Sequence, residues 1–429
     1  MKKISGWHPP CYPSETMKKI PKSLLLPLLL GSSQAGTLVE SPPELPEEPA
    51  SAPSFLQDTR FFVNGRLRFE GGDLEGLDHS SAITLRNRFG FETGSLSGFS
   101  LLAEGEHTTK LGGRYAAFPG FNQGRTVIAD PDNLQLNRLQ LAYENEAFGQ
   151  VTLGRQDVLL DDQRFVGGVG WRQNNQTFDA AALTIDSLPH LTLRYVYLDH
   201  VNRIFGTNAP AKGLEEWESE SHLINLSTDL LPGTKLTAFA YLLDFETAPA
   251  FSSNTYGFSL SNTEPLHSHG LDFSYFLSSA YQSAASSNPV DYDAWYFHAS
   301  LKAAKGPASL TLGSEILASD DGLAAFQTPL GTNHKFNGFA DAFLTIPAGG
   351  LRDYYAALAL DGSFGIKHQL IYHYFQSDDS GDQLGHEINY VASKKLNEHF
   401  TLSGLIAHLE GHDQQGDLTR GVIQLDYQF

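Results

Sequence analysis

Short segments in which apolar and polar residues alternate recur along the chain from residue 61 to its end. A β-strand sends successive side chains to opposite faces, so such a segment has one apolar face and one polar face. In the last segment, 418–429, one parity is apolar (Ile423, Leu425, Tyr427, Phe429) and the other is polar (Arg420, Gln424, Asp426, Gln428). One such strand fits a soluble sandwich as well as a membrane barrel. The choice between these two folds therefore depends on whether the pattern recurs along the chain.

The period-two pattern predicts about 18 strands and no helix after residue 60. We place them at 61–71, 82–93, 99–110, 137–145, 150–157, 171–185, 191–201, 218–230, 234–246, 254–262, 270–281, 291–304, 308–319, 351–361, 367–377, 384–395, 398–410 and 418–429.

The connections between these segments alternate between short and long. Short links are 95–98, 146–149, 187–190, 231–233, 305–307, 362–365 and 396–397, and long links are 111–136, 158–170, 202–217, 320–350 and 411–417. A link of intermediate length, 263–269, stands where a short one is expected. The alternation is typical of outer-membrane barrels, which have short periplasmic turns and long external loops. We therefore predict an all-β transmembrane antiparallel barrel that closes by pairing 418–429 with 61–71, because an open sheet edge cannot face lipid.

The remaining composition fits this interpretation. The longest apolar run, 24–30, is too short for a spanning helix, which needs about 20 residues. A net charge of −20 argues against non-specific nucleic-acid binding, which needs a basic surface. The lone cysteine, Cys11, lies in an N-terminal extension, and residues 36–58 are rich in Pro and Glu and are predicted to form a flexible linker before a 59–429 barrel.

A secretory signal peptide is predicted from Met17, with a basic region at 17–22, an apolar region at 23–30 and a small-residue cleavage site at 33–35. The alternative is a buried apolar segment. Processing would remove 1–35, and residues 1–16 would precede the true start. Export of a chain without cysteine fits the outer membrane of a Gram-negative-type bacterium.

Arginine is concentrated in the first half of the predicted barrel, where 13 of the 15 arginines lie between Arg60 and Arg203. Those on the clearest strands share the polar parity and are our pore-lining, solute-binding candidates: Arg66, Arg68, Arg86, Arg88, Arg138 and Arg194. A guanidinium binds carboxylate or phosphate groups in bidentate fashion, so an arginine ladder suits an anionic solute. The alternative is internal pairing with the glutamates of the same parity: Glu70, Glu92, Glu104, Glu106 and Glu144.

The 320–350 link is too apolar for a solvated external loop. We predict that it folds back into the barrel or over its mouth and narrows the pore, with Lys335, Phe336, Phe339 and Phe343 as constriction candidates. The alternative is a further strand at 336–345, which would disturb the even strand count.

Motifs of catalysis are absent from the sequence: it has no H-E-x-x-H, no G-x-S-x-G, no P-loop and no dinucleotide fingerprint. We predict no enzyme activity, no catalytic residue, no cofactor and no dedicated metal site. The competing interpretation is a barrel that does not transport, such as an outer-membrane lipid hydrolase or an adhesin.

Two stretches resemble the alginate-export family of bacterial outer-membrane porins. The first runs from LGRQ at 153–156 through DDQRFVG at 161–167 to WRQN at 171–174 and TFD at 177–179, and the second is FQTPLGTNHKFNGFAD at 326–341. The resemblance covers about 61–429. It implies a monomeric 18-stranded barrel with an arginine-rich lumen and constricting loops, in a family whose founding members export alginate.

Together these observations predict an outer-membrane, porin-like channel for anionic or saccharide solutes, of the alginate-export type. Its expected partners are outer-membrane lipid, the solute, and the barrel-assembly machinery, which would recognise the C-terminal Phe429.

Overall fold

A computed structural model describes residues 58–412 and 415–429 of the chain. In these residues, eighteen long antiparallel strands form one closed barrel. Their bounds are β1 Arg60–Leu74, β2 Ser80–Glu92, β3 Phe99–Arg114, β4 Asn133–Asn145, β5 Gly149–Gln156, β6 Thr177–Leu188, β7 Leu191–Asn202, β8 Glu216–Thr228, β9 Thr234–Leu243, β10 Ser253–Asn262, β11 Leu271–Ala284, β12 Asp293–Lys305, β13 Ala308–Leu317, β14 Leu351–Asp361, β15 Ile366–Gln376, β16 Gln383–Lys395, β17 Phe400–Gly411 and β18 Leu418–Gln428.

The barrel closes between its first and last strands, as the sequence predicts. β1 pairs with β18 from Asn64 opposite Gln428 to Leu74 opposite Leu418. Val63 and Phe429 exchange backbone hydrogen bonds of 3.1 and 2.8 Å at the end of this seam. No strand edge is left unpaired along the seam, which is the condition for placing a sheet in lipid. The predicted fold class is confirmed.

Alternate side chains face outward and inward in the predicted parity. On β1, Leu67 and Phe69 are exposed on the outer surface, whereas Arg68 and Glu70 are fully buried inside. On β18, Ile423 is 61% exposed and Arg420 is 4% exposed. The outer wall is therefore apolar and the inner wall carries charge, as in a barrel that has lipid outside and water inside.

Short connections gather at one end of the barrel, the turn end, and the long ones at the other, the loop end. The intermediate link is an extension of the β10–β11 hairpin, in which Leu266–Ser268 pairs with the start of β11. His269 and Gly270 both adopt positive φ between them, which is the geometry of a two-residue hairpin turn. The remaining elements are the two-residue strands Ser319–Asp320 and Ala324–Ala325, the one-turn helix Lys212–Glu215, and the 3₁₀ turns Pro249–Phe251, Asn333–Lys335 and Ser363–Gly365.

Two expectations about individual segments are wrong. β6 begins at Thr177 rather than at Trp171, because 171–176 belongs to an inward-folded loop. The alternative of a strand at 336–345 also fails, since this segment consists of turns and bends.

The predicted signal peptide at 1–35, and almost all of the predicted linker at 36–58, lie outside the described residues. Among the described residues, no helix is long and apolar enough to cross a membrane.

Two loops fill one side of the barrel interior. Residues 157–176, between β5 and β6, and residues 318–350, between β13 and β14, both turn inward from the loop end. Their apolar side chains, including Val166, Phe326 and Leu330, pack against the inner faces of strands in the middle of the chain, including Leu198, Leu223 and Tyr296. The opposite side, formed by β1–β4 and β15–β18, keeps the charged inner wall.

Candidate functional site

The register between neighbouring strands determines which charged residues lie side by side on the inner wall. Arg66 on β1 stands directly opposite Arg86 on β2, and Asn64 stands opposite Arg88. Arg88 in turn faces Glu106 on β3, and Glu104 on β3 faces Arg138 on β4. Inward parity on four consecutive strands therefore brings guanidinium and carboxylate groups side by side.

Most of these arginines are paired with carboxylates. Arg66 Nε lies 2.7 Å from Asp426 Oδ1, and Arg138 Nη2 lies 2.6 Å from Glu104 Oε2. Arg88 also forms an ion pair with Glu106. Burial of a charge is tolerated when a hydrogen-bonded partner of opposite charge is buried with it. At these positions the structure shows the internal pairing that the sequence left open as an alternative.

Arg86 differs from its neighbours. Its side chain is buried, and its Nη2 donates a hydrogen bond of 3.3 Å to Asn64 Oδ1. Among the described residues no carboxylate lies within ion-pair distance of Arg86, and its Nε has no hydrogen-bond acceptor. The nearest charged group in register is another cation, Arg66. This guanidinium is therefore a positive charge of the wall without an ion-pair partner among the described residues.

A cavity of ≈1210 Å³ opens at the turn end and extends inward along this wall. Its basic lining residues are Arg60, Arg66, Arg86, Arg88, Arg138, Lys335 and Lys395, and its acidic ones are Glu92, Asp157, Glu398 and Asp426. Four of the seven basic residues pair with carboxylates of the lining or directly behind it. The lining cations without an ion-pair partner among the described residues are Arg86, Lys335 and Lys395. Unpaired cations in a confined space attract solutes of the opposite sign.

The inner end of the cavity is formed by the two inward loops. Trp171 of the 157–176 loop stacks on His334 of the 318–350 loop, with ring centroids 3.7 Å apart and planes 10° from parallel. Trp171 Nε1 and His334 Nε2 are both buried and lack hydrogen-bond partners in the described part of the chain. Burial lowers the pKa of His334, which keeps the ring neutral at neutral pH.

Ion pairs hold these loops to each other and to the wall. Arg172 Nη1 lies 3.0 Å from Glu70 Oε1 of β1, and its Nη2 lies 2.8 Å from Asp341 Oδ2. Arg420 of β18 pairs with the same Glu70. Burial alone raises the pKa of Asp341, but His334 and Arg420 hold it well below its usual range.

A second attachment lies on another part of the wall. Arg164 Nε lies 2.7 Å from Glu315 Oε1 of β13, and its Nη2 donates a 2.7 Å hydrogen bond to Asn337 Oδ1. Backbone contacts join the loops directly, including the 2.8 Å hydrogen bond from Gly167 N to the Leu330 carbonyl. The two loops therefore form one plug.

The structure places four of the six arginine candidates, Arg66, Arg86, Arg88 and Arg138, on the lining of the cavity. Arg68 is not among the lining residues: it is fully buried, with its guanidinium 4.3 Å from the ring centre of Trp171. Arg194 is also outside this lining and stands opposite Asn225, which binds Asp161 of the 157–176 loop. Arg68 is kept from this cavity because Trp171 of the plug lies against its guanidinium. A pore-lining role for Arg194 stays a prediction.

Of the four constriction candidates, Lys335 and Phe339 line the cavity. Burial lowers the pKa of Lys335, whose ammonium lies 5.0 Å from the ring centre of Phe336. Phe336 itself covers the guanidinium of Arg164, and Phe343 packs on Phe375 with ring centroids 4.7 Å apart. These two phenylalanines pack within the barrel and are not among the residues that line the cavity, so their part in a constriction stays a prediction.

Sequence reasoning missed the contribution of the 157–176 loop, including Asp157 and Trp171, and the mouth residue Lys395. The available signal was composition: Arg, Gln, Asn and Trp follow one another at 171–175, which is unusual for a solvated loop. Long polar side chains on a buried loop need hydrogen-bond partners from the wall, and here they find them.

The architecture defines a class of protein. A closed 18-strand antiparallel barrel with an apolar outer face, a charged inner face and inward-folded loops has the fold of outer-membrane porins. No family model matches the chain, and no curated protein sequence matches it.

Solved structures with the same fold include those of Pseudomonas aeruginosa OccK8 (OprE), P. aeruginosa OpdK with vanillate, and Acinetobacter baumannii OccAB2. Their TM-scores are 0.66, 0.66 and 0.68 and their sequence identities 13%, 15% and 15%. Each alignment covers 88% of this chain and 99%, 100% and 99% of the other chain. These neighbours are outer-membrane porins, and each is matched over almost its whole length.

Proposed function

We propose that the chain is an outer-membrane channel of a Gram-negative-type bacterium that passes anionic solutes bearing carboxylate groups. The observation that carries the proposal is Arg86, a buried guanidinium on the cavity wall without a carboxylate partner among the described residues. An uncompensated buried charge is unfavourable, and an arriving carboxylate would compensate it through two parallel N–H···O hydrogen bonds.

The surroundings of Arg86 favour the same solute class. Lys335 and Lys395 also line the cavity and have no ion-pair partner among the described residues, so they add positive charge beside the wall arginines. A carboxylate entering from the turn end would pass the paired arginines before it reached the Trp171–His334 stack. Paired guanidinium groups keep N–H donors that can be shared with a passing anion.

A structural neighbour and the sequence motifs favour a carboxylate as the group on the solute. One structural neighbour, OpdK, was determined with vanillate, which carries a carboxylate. The sequence resemblance to the alginate-export family indicates a uronic-acid polymer, in which each sugar carries one carboxylate. The carboxylate is the group that the wall would recognise. Transport of alginate itself is the most specific form of this proposal.

The proposal is tested by conductance of the purified chain in planar bilayers under a KCl gradient. We expect anion selectivity in the wild type, and a shift of the reversal potential toward cation selectivity in Arg86→Gln. Added vanillate or a short uronate oligomer should block the current. Arg86→Gln should weaken this block about tenfold, the scale of one charge-assisted hydrogen bond.

Two variants serve as matched controls. Arg86→Lys keeps the charge and should keep the selectivity while losing bidentate binding. Arg125→Gln removes an arginine that pairs with Asp78 near the loop end and does not line the cavity, so selectivity and block should be unchanged. Equal block by a neutral oligosaccharide would contradict recognition of carboxylates. A chain that inserts without conducting would instead favour the non-transporting barrel.

A further inference from the structure

A polar cluster lies on the outer face of the barrel near the loop end of β7 and β8, away from the lumen. His200 on β7 stands directly opposite Glu218 on β8, and Glu216 lies two residues further along the same face of β8. One ring nitrogen of His200 and one carboxylate oxygen from each glutamate all lie within 4.8 Å of one another. The cluster thus brings together three side chains of types that bind metal ions.

A bulge in β7 directs His200 outward. The register shifts between Leu198 and His200 against both neighbouring strands. As a result Leu198 and Val201 both pack in the interior core, and His200 faces the outer surface between them. β-bulges commonly re-aim one side chain in this way.

The imidazole of His200 is held in place and has one nitrogen left for a ligand. The side chain is 9% exposed, and its Nδ1 lies 2.9 Å from Asp199 Oδ2. A carboxylate on Nδ1 fixes the tautomer that has its lone pair on Nε2, which is the arrangement usual for histidines that bind metals.

Negative charge in the cluster exceeds the available cations. The neighbouring Asp179 is neutralised because Arg155 binds both of its oxygens, at 2.7 and 2.9 Å. Lys212 pairs with Glu216. Glu218 has no ion-pair partner among the described residues, and its carboxylate is half-buried beside that of Glu216.

We propose that His200, Glu216 and Glu218 bind a divalent transition-metal cation of the Zn²⁺ type. A mixed nitrogen and oxygen ligand set favours Zn²⁺ and its neighbours, whereas Ca²⁺ and Mg²⁺ prefer oxygen ligands alone. Ligand atoms bound to one Zn²⁺ stand about 3.3 Å apart, so small rotations of the two glutamate side chains complete the set. Three protein ligands leave a coordination position open to water.

The site lies beyond the apolar part of the outer wall. Ile224 is the exposed apolar residue of β8 nearest to the cluster, and Glu218 is six positions further toward the loop end, about 20 Å along the strand. The cation would therefore bind from water and would link β7 to β8 at the base of the 203–215 loop.

The test uses the full chain, purified in detergent without a polyhistidine tag and stripped with EDTA. Calorimetric titration with ZnCl₂ should show one site per chain, and Co²⁺ should give the visible absorption of a low-coordinate nitrogen–oxygen site. We expect His200→Gln and Glu218→Gln each to weaken binding at least tenfold.

His222→Gln is the matched control, because His222 lies on the same face of β8 and bonds to the hydroxyl of Tyr195. It should bind Zn²⁺ as the wild type does. Equal loss in His222→Gln, or an affinity for CaCl₂ as high as for ZnCl₂, would overturn the proposal.

Two further measurements do not depend on removing a ligand. Lys212→Gln deletes the cation that competes for Glu216 and should tighten Zn²⁺ binding several-fold. Weaker binding in this variant would rule out Glu216 as a ligand.

A zinc-edge anomalous map of the wild-type chain should show its strongest peak beside His200. A peak at another histidine, or no peak, would overturn the proposal even where a variant fails to fold.

Discussion

Several buried arginines in this barrel have a carboxylate buried with them, which allows the charge to stay in the interior. Arg164 is the clearest case: its side chain is fully enclosed, and its guanidinium contacts Glu315, Asn333 and Asn337. Removal of one partner from such a pair leaves an unpaired charge in a low-dielectric interior. The cost of a single substitution therefore exceeds the net contribution of the pair.

Arg164→Met should consequently destabilise the folded barrel by about 3–5 kcal/mol, whereas Arg164→Met combined with Glu315→Gln should cost clearly less than the sum of the two single changes. Urea-induced unfolding in lipid vesicles measures the free energy of unfolding of the single and the double variants. Arg125→Met removes a pair whose partner, Asp78, is mostly exposed, and should cost about 1 kcal/mol or less. Additive losses at Arg164 and Glu315 would argue against direct coupling.

The plug is able to respond to pH through His334. His334 is enclosed by Trp171, Phe339 and Asp341, and the charged groups facing this cluster are Arg172 and Arg420. Burial lowers the pKa of His334 below its usual value of 6.5, so the released loop binds a proton more readily than the seated loop. Seating of the plug is therefore favoured above pH 6.5 and weakens as pH falls below it.

We expect current fluctuations from plug movement to be more frequent at pH 5.5 than at pH 7.5. His334→Gln, which cannot be protonated, should remove this difference. Asp341, whose pKa is held low, remains ionised at both pH values and does not account for the change. His190→Gln, at an exposed position in a turn, is the control and should behave as the wild type. A pH dependence that persists in His334→Gln would exclude this histidine as its source.

The strands and the plug differ in how far the sequence predicts them. Each strand is specified locally, because an inward Arg68 and an outward Phe69 are adjacent in the chain and lie on opposite faces of the sheet. The plug is specified by pairs far apart in sequence, such as Arg172 with Glu70 and Arg164 with Glu315. Period-two analysis does not detect such pairs, so it predicts a long external link at 158–170 and a strand that begins at Trp171.

The arginine wall lies between these two cases. Parity correctly places Arg66, Arg86, Arg88 and Arg138 inside, because side-chain direction follows from position along a strand. Which of them has a partner depends on the register between strands, and register is set by the whole closed sheet. The sequence therefore could not distinguish the unpaired Arg86 from the paired Arg88.

For the whole molecule, stability depends on the apolar outer surface as much as on the interior. Leu312 at the middle of β13 is 55% exposed, and its cross-strand neighbours are Leu301 and Ala356. In water such a surface would be unfavourable, but in a bilayer it contacts hydrocarbon.

Leu312→Arg should therefore destabilise the barrel in lipid vesicles by about 2–4 kcal/mol, the cost of a cation at the lipid face near mid-depth. Leu323→Arg is the matched control, since Leu323 is equally exposed, at 58%, but lies in a turn of the 318–350 loop beyond the strand ends. Its expected effect is within about 0.5 kcal/mol. Similar losses at both positions would mean that lipid does not cover β13.

The two attachments of the plug have a mechanical consequence. Arg172 pairs with Glu70 of β1, and Arg164 pairs with Glu315 of β13. The joined loops therefore connect two separate strands of the barrel across its lumen. Lateral pressure from a crowded bilayer can flatten a hollow barrel. The plug, attached at two places on the wall, resists this change of cross-section. Shortening these loops to widen the lumen would therefore also make the barrel easier to deform. An engineered channel with a wider lumen would need another connection across the barrel in their place.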